Sequence, residues 1–141
     1  MNSTDNSTNQ VNISWSAAIR LIEAGVKYAS AEGHLMTIAI TDASGLLKAF
    51  CRMDGSPVLS TQLAQDKAWT AAAYGIPTDQ WFEFIKNDPP LLNGIVHTPR
   101  LVVFGGGIPI ELDGKTIGGI GVSGGHYTQD AMVASEALKA L

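Results

Sequence analysis

The amino-acid sequence predicts an α+β fold organised around an antiparallel sheet. Asp113-Gly114 separates two runs of β-forming residues by two positions, which is a strong hairpin signal. Residues 42–45, with Asp first and Gly fourth, form a second turn signal between two further strand-like runs. The helical patterns stand in separate blocks around these hairpins, an order typical of α+β proteins. We therefore expect a five-stranded antiparallel sheet with helices on both faces.

The N-terminal part of the chain predicts a tail, a helix and a hairpin. Residues 1–13 are rich in Asn, Ser and Thr, and we expect them to form a flexible tail. Ser14 suits the N-cap of a helix that runs to about Glu32, because apolar residues recur on one face of it. Strand-like runs then cover residues 35–41 and 46–52 on the two sides of the turn.

The middle of the chain predicts a second long helix and a further strand. Ser60 or Thr61 can cap the helix, and Gly-Ile-Pro at residues 75–77 ends it. Residues 91–97 fit either a helical turn or a loop. Leu101–Phe104 is a short apolar run that we interpret as a strand leading into the second hairpin.

The stretch from Phe104 to His126 holds nine of the fifteen glycines. Glycine is tolerated at such density where the backbone needs a positive φ, or where a ligand or another backbone comes close. Ser-Gly-Gly at residues 123–125 precedes the last helix, which Thr128 can cap over residues 129–141. Backbone amides in this turn could bind a carboxylate, a phosphate or a haem propionate. Alternatively, the glycines only let the strand turn sharply into the helix.

Composition and charge limit the function classes. The chain has 141 residues, 45% hydrophobic and 16% charged, which suits one globular domain, and we place that domain at residues 14–141. The net charge is −4 and the basic residues are scattered singly, so we expect no nucleic-acid partner. No apolar run approaches the ~20 residues of a membrane helix, so we expect no membrane partner. The single cysteine, Cys51, fits a reducing compartment, and we expect a cytoplasmic protein.

Three histidines are candidates for chemistry: His34, His97 and His126. No two of them have helical i, i+4 spacing, and no HExxH or CxxC motif is present, so we expect no dedicated metal site. A single axial histidine for haem needs no spacing rule. His126 after the glycine-rich turn, or His97 before a strand, could serve as that ligand. A surface or loop position is the alternative for each.

Two basic residues stand where they could meet a ligand. Arg52 flanks a turn at a strand end, where it could hold a carboxylate through paired hydrogen bonds or form a local ion pair with Asp54. Lys67 lies on a helix face that otherwise carries small residues, where it could extend to solvent or face a site.

Five stretches are distinctive in sequence and in order. They are Ile40-Thr-Asp-Ala-Ser-Gly-Leu-Leu47, Arg52-Met-Asp-Gly-Ser56, Ala64-Gln-Asp-Lys-Ala68, Phe104-Gly-Gly-Gly-Ile-Pro-Ile110 and Gly118-Gly-Ile-Gly-Val-Ser-Gly-Gly125. Together they resemble the GlcG/HbpS family, which includes haem-binding HbpS and the C-terminal domain of PduO-type proteins. The resemblance covers about residues 14–141. His126-Tyr127 departs from the small or Pro-like residues that the family pattern leads one to expect there.

The resemblance implies a profilin-like α/β/α sandwich with a five-stranded antiparallel sheet, and it implies homo-oligomers. It also implies a small-molecule ligand, haem or a related tetrapyrrole. Under that hypothesis a histidine ligates iron, Arg52 or Lys67 meets the propionates, and the glycine turn makes backbone contact. The candidate cofactor-binding residues are His126, His97, Arg52, Lys67, Ser123, Gly124 and Gly125.

Two other functions stay open at this stage. A cofactor-independent enzyme of the isomerase, hydratase or lyase type could act on a small carboxylate or carbonyl metabolite. His126 or Tyr127 would then be the catalytic general acid or base, and Arg52 would hold a carboxylate. A non-catalytic interaction module is the third possibility, since fold alone does not decide function.

Overall fold

The structure, a computed structural model, describes residues 5–141. Residues 1–4, which belong to the predicted tail, lie outside the described residues. The strands are β1 (Thr37–Asp42), β2 (Leu47–Arg52), β3 (Gly107–Leu112) and β4 (Lys115–Ser123). The α-helices are α1 (Trp15–Ala31), α2 (Leu59–Tyr74), α3 (Trp81–Ile85), α4 (Pro89–Gly94) and α5 (Tyr127–Leu138).

The sheet has the strand order β2-β1-β4-β3, and every neighbouring pair is antiparallel. Both predicted hairpins are present, as β1–β2 and β3–β4. At one end of the sheet, Thr37 pairs with Arg52 on one side and with Ser123 on the other. The prediction of an α+β fold with an antiparallel sheet is therefore confirmed.

The predicted fifth strand is wrong, because the sheet within residues 5–141 has four strands. The backbone N–H groups of Leu101 and Val102 do not bond to a strand of the sheet. Val102 N donates to the Thr70 hydroxyl of α2 at 3.0 Å, and Leu101 N donates to Thr98 O at 3.1 Å. A four-residue apolar run does not reveal whether its amides will find a strand or a helix side chain, and here α2 supplies the partner.

One face of the sheet carries the large aliphatic core. Ile38, Ile40, Ile120 and Val122 point to this face and are completely buried. Helices α1 and α5 cover this face and contact each other. The buried residues that they contribute to the core are Ala17, Ala18, Leu21, Ile22, Ala29, Val133, Ala134 and Ala137.

The other face of the sheet carries small residues and is covered by α2. The buried cluster there contains only alanines, namely Ala39 of β1 with Ala64 and Ala68 of α2. The chain therefore forms three layers, with α1 and α5 on one side of the sheet and α2 on the other.

The N-terminal end of the domain lies close to the predicted boundary. Ser14 is the N-cap of α1, and its hydroxyl accepts a hydrogen bond from Ala17 N at 3.1 Å. Ile13, which the prediction assigned to the tail, is 2% exposed and donates its backbone N–H to Ile117 O. The flexibility of the residues before it stays a prediction.

Two helices begin earlier than the sequence predicted. Helix α2 begins at Leu59 after Val58, an N-cap whose apolar side chain makes no hydrogen bond. The Ser60 hydroxyl, inside the helix, donates to Pro57 O. Helix α5 begins at Tyr127, and His126 rather than Thr128 is its N-cap. Residues 91–97 form the end of α4 and a 3₁₀ turn, so the helical interpretation of that stretch is confirmed.

Within the part of the chain that the structure describes, no helix has the length and apolar character needed to cross a membrane.

Candidate functional site

A cleft of about 280 Å³ opens between the start of α2 and the turn that joins β4 to α5. Helix α2 contributes one wall, and residues 123–127 contribute the other. Its lining residues are Pro57, Leu59, Ser60, Leu63, Lys67, Phe104, Ser123, Gly124, Gly125, His126, Tyr127 and Asp130.

Glycines on β4 bring α2 unusually close to the sheet. A Cβ atom at Gly121 would collide with the backbone oxygen of Ala64, and one at Gly119 would collide with that of Ala68. The close approach of a backbone, one of the two reasons proposed for the glycine density, therefore accounts for these positions. It also places the side chains of α2 directly against the end of β4.

Lys67 reaches the cleft floor through space that Gly106 leaves open. A Cβ atom at Gly106 would lie 2.6 Å from Lys67 Nζ, and the φ of this glycine is +127°. Only glycine adopts that conformation readily and also leaves the space free. The lysine stem is thereby enclosed, and its side chain is 0% exposed.

Lys67 and Asp130 form a buried ion pair beneath the cleft. Lys67 Nζ donates to Asp130 Oδ2 at 2.8 Å and to Val122 O at 2.9 Å. Burial lowers the pKa of the Lys67 ammonium and raises the pKa of the Asp130 carboxyl, because desolvation disfavours both charges, while the hydrogen bond between them acts in the opposite direction. The pair adds no net charge to the cleft floor.

Buried hydroxyl groups lie beside this pair. Thr37 Oγ1 lies 2.7 Å from Ser60 Oγ and 3.1 Å from Ser56 Oγ. Ser123 is 4% exposed and lines the cleft, yet its hydroxyl has no hydrogen-bond partner in residues 5–141. This hydroxyl is not fully enclosed, so water or a ligand atom in the cleft can bond to it.

The backbone amides of the glycine turn have partners within the chain. Gly125 N donates to Asp130 Oδ1 at 3.0 Å, and His126 N donates to Gln129 Oε1 at 3.1 Å. Thr128 N donates to His126 Nδ1 at 3.3 Å. These bonds favour the structural interpretation of the turn over an anion-binding one, because the three amides are already engaged.

His126 stands exposed at the cleft wall with one ring nitrogen engaged. Its Nδ1 lies 2.8 Å from Thr128 Oγ1 and accepts from Thr128 N as the cap of α5. Its ring centroid lies 4.1 Å from that of Tyr127, with an interplanar angle of 35°. Nε2 has no hydrogen-bond partner among the residues that the structure describes. It is therefore the ring nitrogen that the protein does not engage, and it carries the proton of a neutral ring as long as Nδ1 accepts from Thr128 N.

Two partly exposed aromatic rings form the rim of the cleft. The centroids of Phe104 and Tyr127 are 6.3 Å apart, and Lys67 Nζ lies 5.2 Å from the Phe104 centroid. Both aromatic residues also line an adjoining cleft of about 360 Å³, together with Asp79, Phe82, Glu83, Val103 and Gly105. The two clefts thus share their aromatic rim.

The structure brings most of the predicted site residues to one place. Residues 123–127 and Lys67 all line the cleft, whereas Arg52 and His97 are not among its lining residues. Arg52 is exposed at the end of β2, and His97 is exposed in the 3₁₀ turn after α4. The acid–base hypothesis gave Arg52 the task of holding a carboxylate, and Arg52 is not among the residues that line this cleft. Within residues 5–141 no group of three or more His, Cys, Asp or Glu side chains could hold a metal ion.

Six of the lining residues were not predicted to bind a ligand, and they are Pro57, Leu59, Ser60, Leu63, Phe104 and Asp130. Asp130 is the most consequential, because it pairs with a lysine 63 positions away. A carboxylate in the first turn of a helix is ordinarily explained by the helix dipole, so the residue type gave no separate signal.

Known proteins resemble this chain over most of its length. A family model described as haem degrading protein HbpS-like matches residues 13–139. Corrinoid adenosyltransferase PduO of Salmonella typhimurium is 33% identical over 135 residues, which cover 95% of this chain and 40% of PduO, so the chain spans about two-fifths of that relative. Protein GlcG of Escherichia coli K12 is 35% identical over 114 residues, covering 81% of this chain and 83% of GlcG.

A solved structure extends the likeness to three dimensions. The crystal structure of PduOC in complex with haem matches with a TM-score of 0.84 and 33% identity, covering 93% of this chain and 96% of that one. The resemblance seen in the sequence is therefore confirmed, and the chain belongs to the HbpS-like family, beside GlcG and a part of PduO.

Proposed function

We propose that the cleft binds haem and that His126 supplies the axial nitrogen. The observation that carries this proposal is an exposed imidazole at the wall of an aromatic cleft with Nε2 unengaged. The family description and the haem complex of the relative PduOC support the choice of ligand. The expected ligand class is a haem or a related tetrapyrrole, whose iron accepts an imidazole nitrogen such as that of His126.

The size and lining of the site suit a flat apolar ligand. The cleft and its neighbour measure about 280 and 360 Å³ and share Phe104 and Tyr127. Together they reach the ~300–1,000 Å³ of ordinary ligand pockets. Leu59 and Leu63 add apolar surface on the α2 side. Bound haem would supply an iron centre that accepts an imidazole nitrogen and changes oxidation state.

The charges in the cleft bear on the propionates of haem. Lys67 is neutralised by Asp130 and commits two of its three N–H donors to protein oxygens. A carboxylate on the cleft floor would therefore add an unbalanced buried charge. We infer that the propionates point outwards to water. Arg52, on the strand end two strands from Ser123, stays a proposed partner for a carboxylate that extends beyond the cleft.

Titration of the purified protein with haemin tests the proposal. We expect a saturating shift of the Soret absorbance in wild type that His126→Ala abolishes. His97→Ala is the matched control, because His97 is equally exposed but lies outside the cleft wall. Loss of the shift in His97→Ala alone would transfer the ligand role to His97. A weak, non-saturating change shared by all three proteins would reject haem binding.

Self-association is a separate proposal that the family resemblance first suggested. Several large apolar side chains near the β2 edge and the start of α2 are exposed, including Leu47 at 50%, Val58 at 84% and Leu59 at 76%. A second copy that covered them would remove this apolar surface from water. Sedimentation equilibrium measures the subunit number directly.

A further inference from the structure

The adjoining cleft of about 360 Å³ combines aromatic rings with carboxylates in its lining. Phe82, Phe104 and Tyr127 are 52%, 40% and 47% exposed, so part of each side chain is open to solvent. Asp79 and Glu83 are the charged residues of the lining, which contains no Lys, Arg or His from residues 5–141. The cleft therefore places negative charge beside aromatic surface and holds no cation of its own.

Gly105 brings one of these carboxylates to the aromatic rim. A Cβ atom at Gly105 would lie 3.4 Å from the Cβ of Asp79 and 3.1 Å from the backbone oxygen of Tyr127. The 3₁₀ turn Thr78–Gln80, which carries Asp79, and the start of α5 therefore both pack against the segment that contains Phe104. The absence of a side chain at position 105 lets the acidic turn and the rings meet.

Both carboxylates are available to a ligand. Asp79 forms no ion pair within residues 5–141, and its carboxylate has no hydrogen-bond partner there. Glu83 Oε2 lies 2.6 Å from Lys86 Nζ, but the two side chains are 70% and 39% exposed. Such an exposed pair contributes at most about 1 kcal/mol, so a cation in the cleft can take the place of Lys86.

The aromatic rings are arranged to receive a cation. The centroids of Phe104 and Tyr127 are 6.3 Å apart and their planes are inclined by 52°, so a group in the angle between them can lie within ~6 Å of both centroids. Aromatic cages recognise quaternary ammonium groups, because the negative faces of the rings attract the positive charge. A metal ion fits less well, since residues 5–141 contain no group of three or more His, Cys, Asp or Glu side chains that could hold one.

We propose that the adjoining cleft binds a small organic cation with an alkylated ammonium group. Phe82, Phe104 and Tyr127 contact the alkyl groups, and Asp79 balances the charge. Haem carries propionates of the opposite charge, so this site goes beyond the proposed function and does not rest on it. Haem that extended across the shared rim would compete with the cation, and the test therefore uses the ligand-free protein.

Choline is the probe for this site. Its uncharged carbon analogue, in which a tert-butyl group replaces the trimethylammonium group, is the matched control compound. Amide ¹H–¹⁵N spectra recorded during each titration report both the affinity and the place of binding.

Two substitutions remove parts of the cleft, and two others serve as controls. Phe82→Leu removes a ring, and Asp79→Asn removes a charge. Phe84→Leu and Asp54→Asn make the same changes at residues that do not line the cleft. All four side chains are exposed, so the variants are expected to fold.

We expect saturating shifts at residues 79–83 and 103–105 with choline, and weaker binding of the uncharged analogue. Phe82→Leu should weaken choline binding about 2- to 5-fold, the factor that one cation–π contact at an exposed site contributes. Asp79→Asn should weaken it by up to about 5-fold and reduce its dependence on salt. The two control variants should bind choline as wild type does.

Equal affinity for choline and its analogue, shifts centred on another surface, or equal weakening in Phe84→Leu and Phe82→Leu would overturn the proposal. Choline binding by a protein that does not bind haemin would reject the proposed function and leave this site in place. The reverse result would overturn this proposal alone.

Discussion

The two faces of the sheet are built on opposite principles. Ile120 and Gly121 are neighbours on β4, yet Ile120 points into the aliphatic core under α1 and α5, and Gly121 lies against the backbone of α2. The first face buries large side chains, each of which contributes about 1.5–3 kcal/mol when it is fully removed from water. The second face has almost no side chains between helix and sheet.

Because of this difference, one face of the sheet carries the apolar core and the other carries the candidate cleft. On the α1 and α5 face the core cluster consists of apolar residues. At the end of the sheet where α2 begins, four buried polar side chains line the cleft, namely Ser60, Lys67, Ser123 and Asp130. Close approach of α2 makes this possible, because the short distance lets one lysine reach the end of β4 and the first turn of α5. The thin face is thus the one that carries the candidate cleft.

Breaking the ion pair gives the largest expected effect on the α2 face. Lys67→Met leaves the Asp130 carboxylate buried without a cation, and we expect the free energy of unfolding to fall by about 3–5 kcal/mol. Urea denaturation measures it. Replacing both partners, as Lys67→Met with Asp130→Asn, keeps an acceptor for Gly125 N and should recover most of the loss. A single variant as stable as wild type, or a double variant no better than the single one, would contradict this account.

Adding one methyl group to the thin face gives the next largest effect. Gly121→Ala places a Cβ against backbone atoms of α2, so the helix must move from the sheet, and we expect a loss of about 1–3 kcal/mol. Gly94→Ala is the matched control: its Cβ would meet no atom within 4 Å, and it lies in α4. Thermal unfolding should show the control at or slightly above wild-type stability. Equal effects at both positions would show that close approach is not the reason for glycine at 121.

The smallest expected effect is a pH dependence in the acidic range that comes from Asp130. Because burial raises its pKa above the usual 3.8, the folded state keeps a proton that the unfolded chain has released just above that pH. In the window between 3.8 and the raised value, the free energy of unfolding should therefore fall as pH rises, by less than about 1.4 kcal/mol per unit.

Two substitutions isolate that contribution. Asp130→Asn should remove the slope, since the side chain no longer titrates. Asp113→Asn changes an exposed carboxylate in the β3–β4 turn and should leave the slope in place. Denaturation curves at several acidic pH values compare the three proteins. A slope that survives in Asp130→Asn would have to come from another group.

Local patterns were sufficient for most of the fold and for several residues that line the candidate cleft. Asp113-Gly114 and residues 42–45 marked both hairpins, and the glycine-rich stretch marked the strand that ends in the cleft. These signals are local, because turn chemistry and backbone freedom depend on consecutive residues. The segment Leu101–Phe104 was misread because its hydrogen-bond partner, Thr70, lies on another element.

The order of residues is sufficient to predict the α+β class, the two hairpins, the family and His126 as a candidate ligand residue. Three features come from the folded chain alone: α2 touches the glycines of β4, Asp130 neutralises Lys67, and Arg52 and His97 lie outside the cleft wall. The physical reason is distance along the chain. Backbone preferences act between adjacent residues, whereas the charge of this cleft depends on two side chains 63 positions apart. Its shape depends on residues that extend from Pro57 to Asp130.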